Sequence, residues 1–336
     1  MVENTDPIVF YLYNAFNSEE VRQLLIDKFR SSGHCRRIDF IDWDCLNEKP
    51  PRGGDLYIFD SVVLSHMCAN SYIRKMPEIN DKEGIFQWAL DTTKYKNANY
   101  GVPLMLCADV IISTRQKDKG TANILELDGK VAVPMKSLVS NYYLGYKINM
   151  DQTAEKNAKS AAAAMEKMCR MIGGASELPK ARVSKNYGIA EFDRGEVDHY
   201  VGFTEALRFF HPDDYVVRKT RYSSQAGDEI SFLYVNMIAL GRDVREEKLL
   251  DCMDMMEIIA SPEFEHALCR QGGRLNYMLP ANEQAYPSLI EEDPIYTQLL
   301  EIAASPNNFA FRSGEDYYDT TEQMSDQLLQ LLRGGQ

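Results

Sequence analysis

The opening third of the chain alternates short apolar runs with an amphipathic stretch. PIVFYLYNAF (residues 7–16) is rich in β-branched and aromatic residues and predicts a first strand. NSEEVRQLLIDKFRSSG (17–33) predicts a helix capped by Asn17 or Ser18, with acidic residues in its first turn and Gly33 as its stop. RIDFIDWD (37–44) reads as a second strand. PPRGGDLYIFDSVVLSHM (50–67) reads as a Pro/Gly turn followed by a third. Strand, helix, strand, turn, strand at this spacing points to an α/β lobe with a mostly parallel sheet.

YGVPLMLCADVIIS (100–113) is again a turn leading into a strand, after which the pattern changes. TRQKDKGTANILELDGKVAVPM (114–135) is charged and hairpin-like. DQTAEKNAKSAAAAMEKMCRMIGG (151–174) is built of strong helix formers closed by a Gly pair. NYGIAEFDRGEVDHYVGFTEAL (186–207) predicts a short helix, a Gly stop and a strand, and EISFLYVNMIALGRD (229–243) a further strand. EEKLLDCMDMMEIIASPEFEHALC (246–269) has apolar residues at helical spacing and predicts one long amphipathic helix. LPANEQAYP, DPIYTQLLEIAAS and a C-terminal helix close the chain.

Composition changes this picture only by exclusion. At 336 residues, 45% apolar and 26% charged, the chain has the profile of one large domain or two ordinary lobes that need no disulfide or metal to fold. A net charge of −13 argues against nucleic acid or an anionic membrane as partner and is compatible with a cationic small molecule. No apolar run reaches the ~18 residues of a membrane span. The start, MVENTDPIVFYLY, lacks a signal peptide's pattern, so the expected location is cytoplasmic, or secreted or periplasmic if a leader has been removed.

Seven cysteines (35, 45, 68, 107, 169, 252 and 269) form no CxxC pair, and five histidines form no HxxxH or HExxH. This pattern fits reduced thiols, with no metal expected. There is no GxGxxG, P-loop or GxSxG. Composition and periodicity by themselves stop at an α/β protein of two lobes.

The segments IAEFDRGEVDHYVGFTE and MMEIIASPEFEHAL followed by GGRLNYMLPANEQAY, in this order, resemble the type II periplasmic-binding-protein fold. That resemblance implies two α/β lobes with ligand in an interlobe cleft. Lobe one would comprise residues 1–110 and 232–336, and lobe two residues 111–231. Within the fold, YGVPLMLC together with VGFTE is similar to thiaminase I (thiamin pyridinylase), with Cys107 in the place of the family's nucleophile and Glu205 in that of its base.

Taken alone, each residue has a plainer reading. Cys107 stands among aliphatic residues and would be core. Glu205 would be an acid in the first turn of a helix beginning after Thr204. The chemistry adds a constraint. A thiol titrates near ~8.5, and the thiolate is the species that attacks. No cation lies within the motif, and a neighbouring carboxylate opposes thiolate formation. Glu205 must therefore act as a general base that accepts the proton while sulfur attacks, which requires hydrogen-bond reach across the cleft.

The resemblance implies further substrate contacts at Tyr13, Phe16, Asp60, Tyr187, Phe203, Tyr234 and Asn236. Aromatic faces suit a thiazolium cation and a flat pyrimidine, and a carboxylate suits an aminopyrimidine N–H. Each of these residues could equally be packing. Two depart from the family pattern: Phe203 replaces a tyrosine, and Asn236 replaces an aspartate. An amide accepts and donates but carries no charge. The resemblance implies thiamin or a close analogue and a small second nucleophile as partners, and no cofactor. The alternative is a solute-binding protein that performs no chemistry.

Overall fold

The computed structural model describes residues 6–13, 16, 18–76, 83–114, 124–134, 170, 186–211, 215–220, 231–305, 308–310 and 313–319. Most of the hairpin-like tract after Thr114, nearly all of the Ala-rich helix expected over 151–174, and the expected C-terminal helix lie outside the described residues. The strands used below are β1 (Ile8–Leu12), β2 (Ile38–Asp42), β3 (Leu56–Asp60), β4 (Val102–Thr114), β5 (Val131–Ala132), β6 (His199–Phe203), β7 (Tyr215–Lys219), β8 (Ser231–Leu240), β9 (Leu279–Pro280) and β10 (Asn308–Ala310).

The chain divides into two compact units, Met1–Leu106 with Tyr234–Ala304, and Cys107–Leu233 with Ser305–Gln336. It passes from the first to the second within β4 and returns within β8. Residues 305 onward group with the second unit, whereas the sequence reading allotted them to the first lobe.

In unit 1, β1 pairs in parallel with β2 (Phe10 opposite Phe40) and with β3 (Phe10 opposite Leu56). β8 runs antiparallel to β3. β3 is buried along its whole length, as expected of a strand covered on both faces. The helix Glu19–Ser31 is capped by Ser18, whose hydroxyl accepts from the Val21 N–H at 3.2 Å. Its Val21, Leu25 and Phe29 are buried. Lys248 is 4% exposed, and its ammonium donates to Asp55 Oδ2 (2.9 Å) and to the Pro7 carbonyl (2.6 Å), so the buried charge is paired and hydrogen-bonded.

Two expectations are corrected in this unit. The third strand stops at Asp60, where the Asp60 side chain accepts from the Val62 N–H at 2.9 Å and turns the chain into a short 3-10 helix, Ser61–Val63. The long helix expected over 246–269 is two helices, Glu246–Ile259 and Pro262–Leu268. The break falls at Ser261, which caps the second helix through the Phe264 N–H (3.3 Å) with Pro262 in its first turn. Proline lacks the donor that would continue a helix and disfavours helical geometry in the residue before it.

In unit 2, the latter part of β4 is flanked by antiparallel β6 and β7, and β5 pairs in parallel with β6. β10 pairs in parallel with the first residues of β8. The buried side chains here include Ile111, Ile112, Val201, Leu207 and Val217, and an aromatic group of Phe192, Tyr200, Phe210 and Tyr215. Among the described residues no helix is long and apolar enough to cross a membrane.

Candidate active site

Cys107 and Glu205 are brought together by strand register. β4 and β6 pair antiparallel from Ser113 opposite His199 to Asp109 opposite Phe203. Continued two residues beyond that last pair, the register sets Cys107 opposite Glu205. β6 ends at Phe203, and Glu205 lies in the following 3-10 helix, Thr204–Phe209. Its carboxylate, freed from the ladder, presents both oxygens to the sulfur. The thiol donates to Oε1 at 3.2 Å and to Oε2 at 3.1 Å. The Thr204 hydroxyl also donates to Oε2, at 3.4 Å. Cys107 is 8% exposed, so the thiol is nearly buried yet faces an acid rather than aliphatic packing alone.

The contact was expected across lobes. Both residues belong to unit 2, because β4 continues past Cys107 and carries the pairing with β6.

The two glycines of the sequence motifs are explained by close approach. A Cβ on Gly101 would stand 2.4 Å from the Ile238 carbonyl oxygen, so the turn into β4 can lie this close to β8 only without a side chain. A Cβ on Gly202 would stand 2.7 Å from the Tyr200 ring and 2.9 Å from its hydroxyl. Gly202 therefore lets the Tyr200 ring lie along β6.

Sequence reasoning missed several residues around this pair. Asp109 is 2% exposed, two residues beyond Cys107 and thus on the same strand face. Burial first, then the charges of Glu205 and Asp109, push the Tyr200 phenol well above the ordinary tyrosine range. Tyr200 remains a neutral donor. Asn186, Tyr200, Phe203, Glu205, Ala206, Arg208 and Phe209 line a hollow of ≈ 360 Å³, counting its open mouth. Strand alternation alone would have flagged Asp109; the others depend on how the 3-10 turn folds back.

The remaining expected residues divide between the units. Phe203 is half-buried at the end of β6, and Tyr187 is half-buried in the turn before the helix Ile189–Asp193. In unit 1, Asn236 on β8 stands directly opposite Asp60 on β3, and Tyr234 shares Asn236's strand face. Asp60, Tyr234 and Asn236 are 6%, 5% and 2% exposed. Burial raises the Asp60 carboxyl to about 7, against a smaller lowering by its bond from Val62. Asn236 Oδ1 is buried with no hydrogen-bond partner among the described residues. An unmet acceptor beside an acid of this kind is suited to a ligand's N–H. Tyr13 is half-buried just past β1, whereas Phe16 is 2% exposed and packs as core.

With this geometry in place, comparison with known proteins is informative. No family model matches the chain. A maltodextrin-binding protein, MalE1 from L. casei, superposes with a TM-score of 0.65 at 11% identity over 98% of both chains. The chain therefore has the type II periplasmic-binding-protein fold. Within that class it is similar to thiaminase I. Thiaminase-1 of Paenibacillus thiaminolyticus is 26% identical over 329 residues, covering 87% of this chain and 80% of the relative. Clostridium botulinum thiaminase I, solved in complex with thiamin, superposes with a TM-score of 0.85 at 20% identity over 97% of this chain and 100% of that one.

Proposed function

We propose that this chain is a thiaminase I-type transferase. It cleaves thiamin or a close analogue at the methylene bridge and passes the pyrimidine to a second nucleophile. The observation that carries this reading is the Cys107 sulfur at 3.1 and 3.2 Å from the two oxygens of Glu205. A nucleophile and its base within hydrogen-bond reach are what covalent catalysis requires.

Cys107 sulfur adds to the pyrimidine carbon next to the bridge, forming a C–S bond as its proton passes to Glu205. The electron pair placed in the ring then expels the thiazole. The methylene–nitrogen bond breaks, its pair goes to the thiazolium nitrogen, and neutral thiazole leaves. The second nucleophile attacks the methylene carbon, the ring pair shifts back, and the C–S bond breaks. Cys107 regains its proton from Glu205. No metal or redox cofactor enters any step. In unit 1, Asp60 and the open acceptor of Asn236 offer hydrogen bonds to an aminopyrimidine, and Tyr234 offers a face.

Incubation with a thiamin analogue bearing a good leaving group, followed by intact-mass measurement, tests the reading. An adduct on Cys107 is expected, and the Cys107→Ser protein should give neither adduct nor turnover. An active serine variant would reject the role of Cys107. The second reading, a binder without chemistry, draws on the fold shared with MalE1. It would appear as a thermal shift with thiamin and no adduct. The paired thiol and acid favour the enzyme, because a carrier has no use for them.

A further inference from the structure

Transfer of the pyrimidine needs a place for the incoming nucleophile, and the transfer proposed above leaves that place unassigned. The hollow beside Glu205 has the right chemistry. Phe203 and Phe209 offer aromatic faces, and Phe209 is 43% exposed. The Tyr200 hydroxyl remains a donor, Asn186 adds an amide, and Glu205 lies in the wall. Arg208 is the only cation among the described residues that line it. Its guanidinium carbon sits 4.7 Å from the centre of the Phe209 ring, and no ion pair of Arg208 is found among the described residues. A planar fork held over an aromatic face is pre-organised to take a carboxylate. The same charge disfavours the thiazolium of thiamin here, and the chain's net −13 makes one local cation the means of drawing in an anion.

We infer that the hollow lined by Asn186, Tyr200, Phe203, Glu205, Arg208 and Phe209 is the subsite for the accepting nucleophile, and that Arg208 selects planar heteroaromatic acceptors bearing an anionic group. This inference rests on the transfer reaction of the preceding subsection. The acceptor's ring nitrogen supplies the electron pair to the methylene carbon, and its carboxylate stays outward on Arg208 and takes no part in bond making.

The test compares pyridine-3-carboxylate with pyridine-3-carboxamide as acceptors for thiamin cleavage. The unsubstituted protein should show a KM lower for the carboxylate by about fivefold to tenfold, the size of one charge-assisted hydrogen bond at a partly open site. Arg208→Gln should lose that preference, and Arg208→Lys should keep part of it. Equal KM values in the unsubstituted protein, or a preference that survives Arg208→Gln, would overturn the assignment. Thiamin monophosphate provides a second arm. If Arg208→Gln instead impairs its use relative to thiamin while leaving the acceptor preference intact, Arg208 reads the donor substrate and the acceptor assignment falls. Failure of the unsubstituted protein to cleave thiamin with either acceptor would fall on the transfer reaction itself.

Discussion

Both units carry a polar pair set by antiparallel register, and the pairs differ in where the register ends. In unit 1, Asp60 and Asn236 form the end pair of the β3–β8 ladder, both buried, and Asp60 is held there by the bond its carboxyl accepts from the Val62 N–H. In unit 2, Cys107 and Glu205 stand two residues past the last β4–β6 ladder pair, with Glu205 already in a 3-10 turn. A pair on the last rung of a ladder holds fixed donors and acceptors, which suits recognition. A pair at a strand's end keeps a carboxylate able to turn both oxygens to a sulfur, which suits proton transfer. The electrostatics follow the same division. Enclosure lifts Asp60 to about 7, and its acid form becomes a hydrogen-bond donor in reach of ordinary pH.

The contrast can be broken first at the proposed nucleophile and base. Glu205→Gln keeps the shape and removes the proton acceptor, so the rate should fall by about 10²–10⁴ while thiamin still binds. Steady-state kinetics with a binding isotherm would check this. An unchanged pH–rate profile would show that Glu205 is not the base.

Asp60→Asn sharpens the other side. The amide introduced by this substitution can still accept from Val62, but it cannot ionise. The folded carboxyl titrates near 7 against 3.8 for the ordinary group, so between those values the folded protein binds more protons than the unfolded. Stability from this group is therefore full below about pH 4, declines as pH rises towards 7, and stays lower above. The ligand-free Asp60→Asn protein should gain on the order of 2 kcal/mol over the parent above pH 7 and nothing below about pH 4. Its KM for thiamin should rise about tenfold. Melting curves from pH 4 to 8 would check the first, and a melting temperature with an unaltered pH slope would remove Asp60 from the account.

Gly202→Ala is the mildest change. The new methyl meets the Tyr200 ring at 2.7 Å and must displace it, costing about 1–3 kcal/mol. Because Tyr200 lines the hollow at Glu205, the acceptor KM should rise with it. Chemical denaturation and acceptor titration would separate the two effects.

How much of this was legible in the residues depends on distance along the chain. The strands 8–12, 38–42 and 56–60 and the Ser18-capped helix follow from local periodicity and capping. The break at Ser261–Pro262 was equally local, written in a capping residue followed by proline, and the helical spacing on either side concealed it. Cys107 and Glu205 emerged through motif likeness, since nothing local distinguishes either from a core thiol and a helix-start acid. Tyr200 and Arg208 had no local signal, because which side chains wall a hollow depends on the turn that follows β6.

The sequence by itself determined the alternation of elements, their caps and the glycines where backbones touch, all consequences of steric and hydrogen-bonding preferences over a few residues. Only the tertiary structure decided that a thiol and a carboxyl 98 positions apart share one register line, and that Asn236 faces Asp60. Strand pairing is a choice of partner and offset made by the whole sheet. A shift of one residue would have turned each of these side chains to the other face.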